Sequence, residues 1–195
     1  MEGNFTYKLD DTLYINLTNS CTNACTFCIR NGRDGLDGYD LWLERCPTAE
    51  EIIAEIPDPS VFPEIVFCGF GEPTMRLEVL KAVAKYIKNQ GGITRLNTNG
   101  HGSLINKRDI VPELKGLIDT VSVSLNAGSK EEYDRVSVPQ IDGAFEATVQ
   151  FIKRSVEILP RTIATVVRVP GIDIEKARSL AEELGAEFRV RELEE

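Results

Sequence analysis

Residues 65–100 read IVFCGFGEPTMRLEVLKAVAKYIKNQGGITRLNTNG, and the spacing of their apolar residues changes twice. Ile65–Cys68 is a short, continuous apolar run with β-branched residues, the pattern of a strand covered on both faces. Leu77, Leu80, Val83, Ala84 and Ile87 then recur at helical spacing, and Gly91-Gly92 closes that helix. Ile93–Leu96 returns to strand. The stretch is one strand–helix–strand unit, and the same alternation extends in both directions. Upstream lie a strand at Leu13–Leu17 and the capping box Thr48-Ala-Glu-Glu51 that opens a helix. Downstream lie a strand at Val121–Leu125, a second capping box at Ser129-Lys-Glu-Glu132, and a long helix whose face is Phe145, Thr148, Ile152, Val156 and Leu159, ended by Pro160. A strand at Ile163–Val169 follows. Asp173 caps a last helix carrying Ile174, Ala177, Leu180, Ala181 and Leu184, stopped by Gly185, and Phe188–Val190 is the last strand. Repetition of this unit predicts right-handed crossovers and an α/β fold with a parallel sheet in one domain, residues 1–195. A closed eight-unit barrel takes about 250 residues, so an open partial barrel or a doubly wound sheet fits better.

The chain has 195 residues, 42% of them hydrophobic, enough for one core of ordinary size. Its 31 acidic and 22 basic residues give a net charge of -9, which argues against a broad nucleic-acid surface or an anionic-membrane surface. No membrane-spanning run and no secretory signal is legible, so a reducing, cytoplasmic setting is expected. There, five cysteines read as ligands, nucleophiles or buried apolar groups rather than as disulfides.

In parallel sheets ligands bind beyond the carboxyl ends of the strands. Those ends carry Thr18–Cys21, Cys68–Pro73, Asn97–Gly100, Ser124–Asn126 and Val169–Gly171, so polar and Gly-rich residues gather at one rim. The sharpest signal follows the first strand: Cys21-Thr-Asn-Ala-Cys25-Thr-Phe-Cys28. Three thiolates at C-x3-C-x2-C spacing can wrap a cuboidal iron–sulfur cluster, which is normally held by four cysteines; with three, one iron is left open to a ligand. A structural zinc site would want four ligands, yet the chain has one histidine, His101, and Cys46 and Cys68 stand alone. Three buried structural cysteines are the remaining alternative.

The cysteine loop after the first strand, with Gly69-Phe-Gly71-Glu72-Pro73 after the second, resembles the radical S-adenosylmethionine (radical SAM) superfamily along nearly the whole chain, Leu13 to Arg191. In finer detail FCGFGEP, LNTNGHG and SVSLNA resemble the small radical SAM proteins associated with TatD-family nucleases, which have no established reaction. The resemblance implies a partial (β/α)6 TIM-like barrel, a 4Fe–4S cluster and SAM. It implies reductive cleavage of SAM to a 5′-deoxyadenosyl radical that abstracts hydrogen from a substrate, with an electron donor such as flavodoxin or ferredoxin. It also implies Cys21, Cys25 and Cys28 as cluster ligands and Phe27 as a shield for the cluster or a flank for the adenine. Gly69, Gly71, Glu72 and Pro73 would receive the SAM amino group, Asn97 and Asn99 its carboxylate, and Ser124 and Asn126 the ribose.

Plainer readings stand beside these. Gly69–Pro73 is also a strand-to-helix turn with Pro73 near its first position, Glu72 a first-turn acid, Asn99-Gly100 a turn and Asn126 a strand-end cap. His101 reads as a polar surface residue. Arg168 and Val169–Gly171 resemble an adenine-side segment or a buried strand. Arg189 and Arg191 suit a substrate carboxylate or phosphate, or an ion pair with the acidic tail 192–195. Cys68 reads as a small apolar residue. Cys46 lies in a long loop, Arg30–Pro47, that reads as a lid or a passive connection. A wide lateral opening would suit a protein or peptide substrate, as for a glycyl-radical activase; a nucleotide-related small molecule is the other version. A non-catalytic iron–sulfur electron carrier or sensor would explain the cysteines but not GFGEP.

Overall fold

The computed structural model describes residues 3–193. It opens with a hairpin that the strand–helix pattern did not predict. Strand β1 (Thr6–Leu9) turns through Asp10-Asp11 and pairs antiparallel with β2 (Thr12–Ile15), setting Tyr7 opposite Tyr14. A second hairpin, β3 (Gly35–Leu36) and β4 (Tyr39–Asp40), lies inside the loop read as irregular. Its turn, Asp37-Gly38, has φ of 48° and 84°, the two positive values of a mirror-image hairpin turn.

From there the alternation holds. Helix α1 (Ala49–Glu55) leads to β5 (Ile65–Phe67), α2 (Leu77–Asn89) to β6 (Thr94–Thr98), and the short α3 (Gly102–Ile105) and α4 (Val111–Leu114) to β7 (Thr120–Ser124). Helices α5 (Lys130–Ser137) and α6 (Ala144–Ile158) precede β8 (Arg161–Val167), and α7 (Ile174–Glu183) precedes β9 (Glu187–Arg191). The third strand lies slightly later than the apolar run Ile93–Leu96 suggested, which places Asn97 on β6 itself. Likewise β8 ends at Val167, before Arg168 and Val169.

The sheet order is β1-β2-β5-β6-β7-β8-β9, and every pair from β2 onward is parallel. The order never reverses, so right-handed crossovers lay all the helices on one face. That excludes the doubly wound alternative, which needs a switch point. The result is an open partial barrel of six parallel strands with an antiparallel edge.

The capping box at Thr48 is complete: Glu51 N donates to Thr48 Oγ1 at 3.3 Å, and Thr48 N donates to Glu51 Oε2 at 2.8 Å. The box at Ser129 is only half made. Ser129 Oγ accepts from Glu132 N, but Glu132 Oε2 is buried without a partner. Helix α6 turns further than expected, burying Phe151 and Ser155 beside Thr148 and Ile152. Ile15, Phe67, Leu80, Ile87, Leu96, Val121 and Phe151 belong to one core between sheet and helices.

Continuous apolar strands were expected; only β5 and β8 are buried almost throughout. Strands β6, β7 and β9 alternate instead. Their apolar residues face the helices, and Arg95, Asn97, Ser122, Ser124, Arg189 and Arg191 face the concave side. Among the described residues no helix is long and apolar enough to cross a membrane.

Candidate active site

The concave side holds a cavity of about 420 Å³ at the carboxyl ends of the strands. It is lined by Cys21, Cys25, Phe27 and Cys28 from the loop after β2, by Gly69, Gly71 and Glu72 after β5, by Asn97 and Asn99 at β6, and by Ser124 and Asn126 at β7. Arg189 and Arg191 line it from β9. Pro73 does not reach it; buried, it opens the 3₁₀ turn Pro73–Arg76 behind Glu72. Arg168 also lies outside, exposed and paired with Glu192 at 3.0 Å; Glu194 and Glu195 are outside the described residues.

The three thiols are free and half-buried. Burial pushes Cys21 above the usual thiol range and Cys25 up to about 12, so metal binding there must release protons. Their loop is tied down on several sides. Arg30 donates to the carbonyls of Asn19 (3.1 Å), Asn23 (3.4 Å) and Phe70 (3.4 Å), bringing a cation near Cys21. The end of α5 runs beside the loop: Thr26 N donates to Val136 O at 2.9 Å, Ala24 N to Val138 O at 3.1 Å, and Gln140 N to Thr22 O at 2.8 Å. Val138 presents that carbonyl from φ 44°, ψ 62°, a strained position for a β-branched residue.

His101 is a correction. It is fully buried rather than on the surface, because its two ring nitrogens join segments distant in sequence. Nδ1 bonds Thr22 Oγ1 and Nε2 bonds Tyr133 OH, each at 2.8 Å. Tyr133 OH also accepts from Asn23 Nδ2 at 3.1 Å. Burial holds the imidazole down at about 4, so it is neutral at pH 7. Thr22, Asn23, Arg30, Tyr133 and His101 therefore position the cysteine loop. Sequence reasoning missed this group because its members are as far as 110 residues apart.

Close approach explains the glycines of GFGEP. A Cβ on Gly69 would stand 2.1 Å from Asn16 Oδ1, and one on Gly71 2.2 Å from Thr18 O; only glycine lets this turn press on the stem of the cysteine loop. Glu72 is fully engaged within the protein. Its Oε1 accepts from Thr74 N (3.0 Å), Thr74 Oγ1 (2.6 Å) and Thr98 Oγ1 (2.7 Å), and its Oε2 from Asn99 N (2.8 Å). Burial nonetheless raises its pKa. Asn99 donates to Thr22 Oγ1 at 2.9 Å and accepts from His101 N at 2.9 Å. Asn97 and Asn126 differ: each has a buried Oδ1 without a hydrogen-bond partner. Buried polar atoms are seldom left unpaired, so these two acceptors are suited to ligand N–H or O–H groups. Asn126 sits at φ 61°, where asparagine is tolerated.

One end of the cavity is aromatic. Tyr7 stacks on Tyr14 at 5.0 Å, and the β3–β4 hairpin adds Leu36 and Leu41. The hairpin is anchored by Asn16 Nδ2 to Leu41 O and Asn19 Nδ2 to Leu43 O, both 2.8 Å, so it forms a fixed wall. Cys68 lines the cavity beside Asn97, and burial pushes its thiol up while that amide pulls the other way. Cys46 is exposed, its Sγ 3.7 Å from Thr18 Oγ1. Among the described residues no three His, Cys, Asp or Glu side chains converge as a single-ion site. The three free thiols line one cavity, and their all-sulfur donor set suits an iron–sulfur cluster.

The family model described as the radical SAM superfamily matches residues 15–184. The chain is 30% identical over 166 residues to a probable GTP 3′,8-cyclase of Thermococcus kodakarensis, covering 83% of this chain and 48% of that protein. It is 28% identical over 171 residues to an uncharacterized protein of Methanocaldococcus jannaschii, covering 87% and 52%. It thus spans about half the length of the curated relatives it matches. Among solved structures, TYW1 with a lysine-pyruvate adduct superposes with a TM-score of 0.68 at 15% identity, covering 95% of this chain and 65% of that one. Streptococcus suis SuiB bound to S-adenosylmethionine superposes with a TM-score of 0.67 at 14% identity, covering 93% and 40%. With the family model matched from β2 through α7, the chain belongs to the radical SAM superfamily.

Proposed function

We propose that the chain is a radical SAM core domain that holds a 4Fe–4S cluster on Cys21, Cys25 and Cys28, and SAM across the ends of β5, β6 and β7. The observation that carries this reading is the convergence on one cavity of three free thiols and the unpartnered amide oxygens of Asn23, Asn97 and Asn126. When bound, the cluster and SAM supply a 5′-deoxyadenosyl radical for hydrogen abstraction.

The chain's own residues hold and orient these groups. Cys25 gives up the proton that burial otherwise keeps on its thiol, and Arg30 offsets part of the loop's negative charge. Phe27 shields the thiols on the cavity side. Carbonyls of the Gly69–Pro73 turn accept the SAM amino group, while Glu72 fixes that turn to β6 instead of meeting ligand. Asn97 and Asn126 accept ligand donors, with Ser124 beside them. Tyr7, Tyr14 and Leu36 keep water from the site.

A nucleotide-related small molecule is the substrate class favoured by the likeness to a probable GTP 3′,8-cyclase. Membership of the small TatD-associated group rests on FCGFGEP, LNTNGHG and SVSLNA. A cytoplasmic setting with flavodoxin or ferredoxin as electron donor suits five unpaired thiols.

Anaerobic reconstitution with iron and sulfide, reduction with dithionite and addition of SAM test the reading. 5′-Deoxyadenosine above that of a Cys25→Ala control is expected. A full cluster that does not bind SAM would favour the electron-carrier or sensor reading, and protein that takes zinc instead of iron would favour the zinc module.

A further inference from the structure

The charged residues facing the cavity are not equivalent. Glu72 is engaged by four protein donors, Arg95 pairs with Glu64 at 3.1 Å, and Glu192 pairs with Arg168. Arg189 and Arg191 alone face the cavity with no ion pair or side-chain hydrogen bond among the described residues. They are two residues apart on β9, so both guanidinium groups stand on one face of the strand. Arg189 is in register with Thr165, and Arg191 with Val167, which both line the same wall. Arg191 lines the same cavity as Cys68. Nearby Arg161 and Arg168 each have a carboxylate partner. Glu187, whose carboxylate lies near enough to feel Arg189, is itself held by Arg161. In a chain of net charge -9, two same-face arginines at a cavity wall that form no ion pair among the described residues are an arrangement to be explained.

We infer that Arg189 and Arg191 form an anion-binding site for the substrate, which carries a phosphate or carboxylate group. Two forked guanidiniums on adjacent same-face positions match the paired oxygens of either group. The inference rests on the reading above in one respect: there the Gly69–Pro73 turn takes the SAM amino group, and the carboxylate on the same carbon stays at that side, so this anion belongs to a second molecule. Strand β9 is also the far edge of the open sheet, with four strands between it and β2, where a second molecule can enter without displacing SAM.

The test is calorimetric titration of the anaerobically reconstituted protein and of an R189Q/R191Q variant with three probes: inorganic pyrophosphate, glutarate and SAM. Wild-type protein is expected to bind pyrophosphate or glutarate in the millimolar range or tighter. The variant should bind that probe at least about tenfold more weakly, since each lost hydrogen bond joins two charged groups, with SAM affinity and the melting curve unchanged. Preference for pyrophosphate assigns a phosphate substrate, and preference for glutarate a carboxylate one. Failure of wild-type protein to bind either anion, equal affinity in the variant, or a loss that falls on SAM would each overturn the site. Because these titrations need no radical, their failure leaves the 5′-deoxyadenosine result standing, and the converse also holds.

Discussion

The two ends of the cavity are built differently. On the β2 side, the cysteine loop is held by carbonyls bound to Arg30, by three backbone hydrogen bonds to the end of α5, and by a buried His101–Thr22–Tyr133 chain. On the β9 side, Arg189 and Arg191 stand exposed, with no ion pair or side-chain hydrogen bond among the described residues. One end ties its loop down through hydrogen bonds made within the protein; the other presents two exposed guanidinium groups. Pre-formed geometry is what a reactive cofactor needs, because small displacements cost rate. An unsatisfied wall is what a substrate site needs, because recognition must come from the ligand. The comparison is in keeping with the proposal of cofactor at the first end and substrate at the second.

The largest effect should come from the thiols. Cys25→Ala is expected to abolish cluster uptake and 5′-deoxyadenosine formation while the barrel still unfolds cooperatively. Cys46→Ala and Cys68→Ala are expected to keep full iron, since neither belongs to the tied loop. Iron content, absorption spectra and thermal melts decide this. An unchanged iron spectrum in Cys25→Ala would break the comparison at its stronger end.

A second effect tests the buried chain. The imidazole of His101 is held down at about 4, against about 6.5 when unfolded. Between those values the unfolded state binds more protons, so this contribution to stability is fully present above pH 6.5 and is lost as pH falls toward 4. The full loss is about 3 kcal/mol. The difference between wild type and His101→Gln isolates the imidazole from every other group that binds protons as pH falls. Denaturant unfolding of cluster-free protein at pH 7 and pH 5 should show the wild type losing more stability than the variant. The variant should already be weaker at pH 7, by about 1–3 kcal/mol, from poorly paired Thr22 and Tyr133. Parallel pH dependence in both proteins would mean that His101 is not the buried neutral hub.

The same contrast explains what the sequence made legible. Local signals transferred well: the capping box at Thr48, the stripe Leu80–Val83–Ala84–Ile87 and the cap at Asp173 depend on residues a few positions apart. The cysteine spacing is equally local. Strand β1 was invisible because TYKL owes its state to pairing with β2 at an edge, not to its own apolar content. The β3–β4 hairpin did leave a signal, Asp37-Gly38, but two-residue strands carry no period to flank it. Burial of His101 was illegible because its partners lie 79 and 32 residues away. The same holds for Asn97: only the register that sets it beside Ser122 on the concave face shows that its amide oxygen goes unpaired.

The smallest effect concerns how the tied end is held. Val138 carries a β-branched side chain at φ 44° while its carbonyl accepts from Ala24 N and Asn23 bridges to Pro139. Such a residue costs about 1–3 kcal/mol in that region, and here the strain lies in the contact that fixes the cysteine loop. Asparagine tolerates the left-handed region and leaves the backbone contacts in place. Val138→Asn is expected to raise stability by about 0.5–1 kcal/mol after some loss of half-buried apolar surface, a shift of about 2 °C in Tm for a chain of this size. Cluster content should not change, because the contacts to the loop are main-chain. If stability falls instead, the Val138 side chain is holding α5 against the loop by packing, and the tied end depends on apolar contact as well as on its hydrogen bonds. If stability rises but cluster uptake falls, the strain itself sets the loop's geometry, and the pre-formed end of the cavity is under tension before any ligand binds.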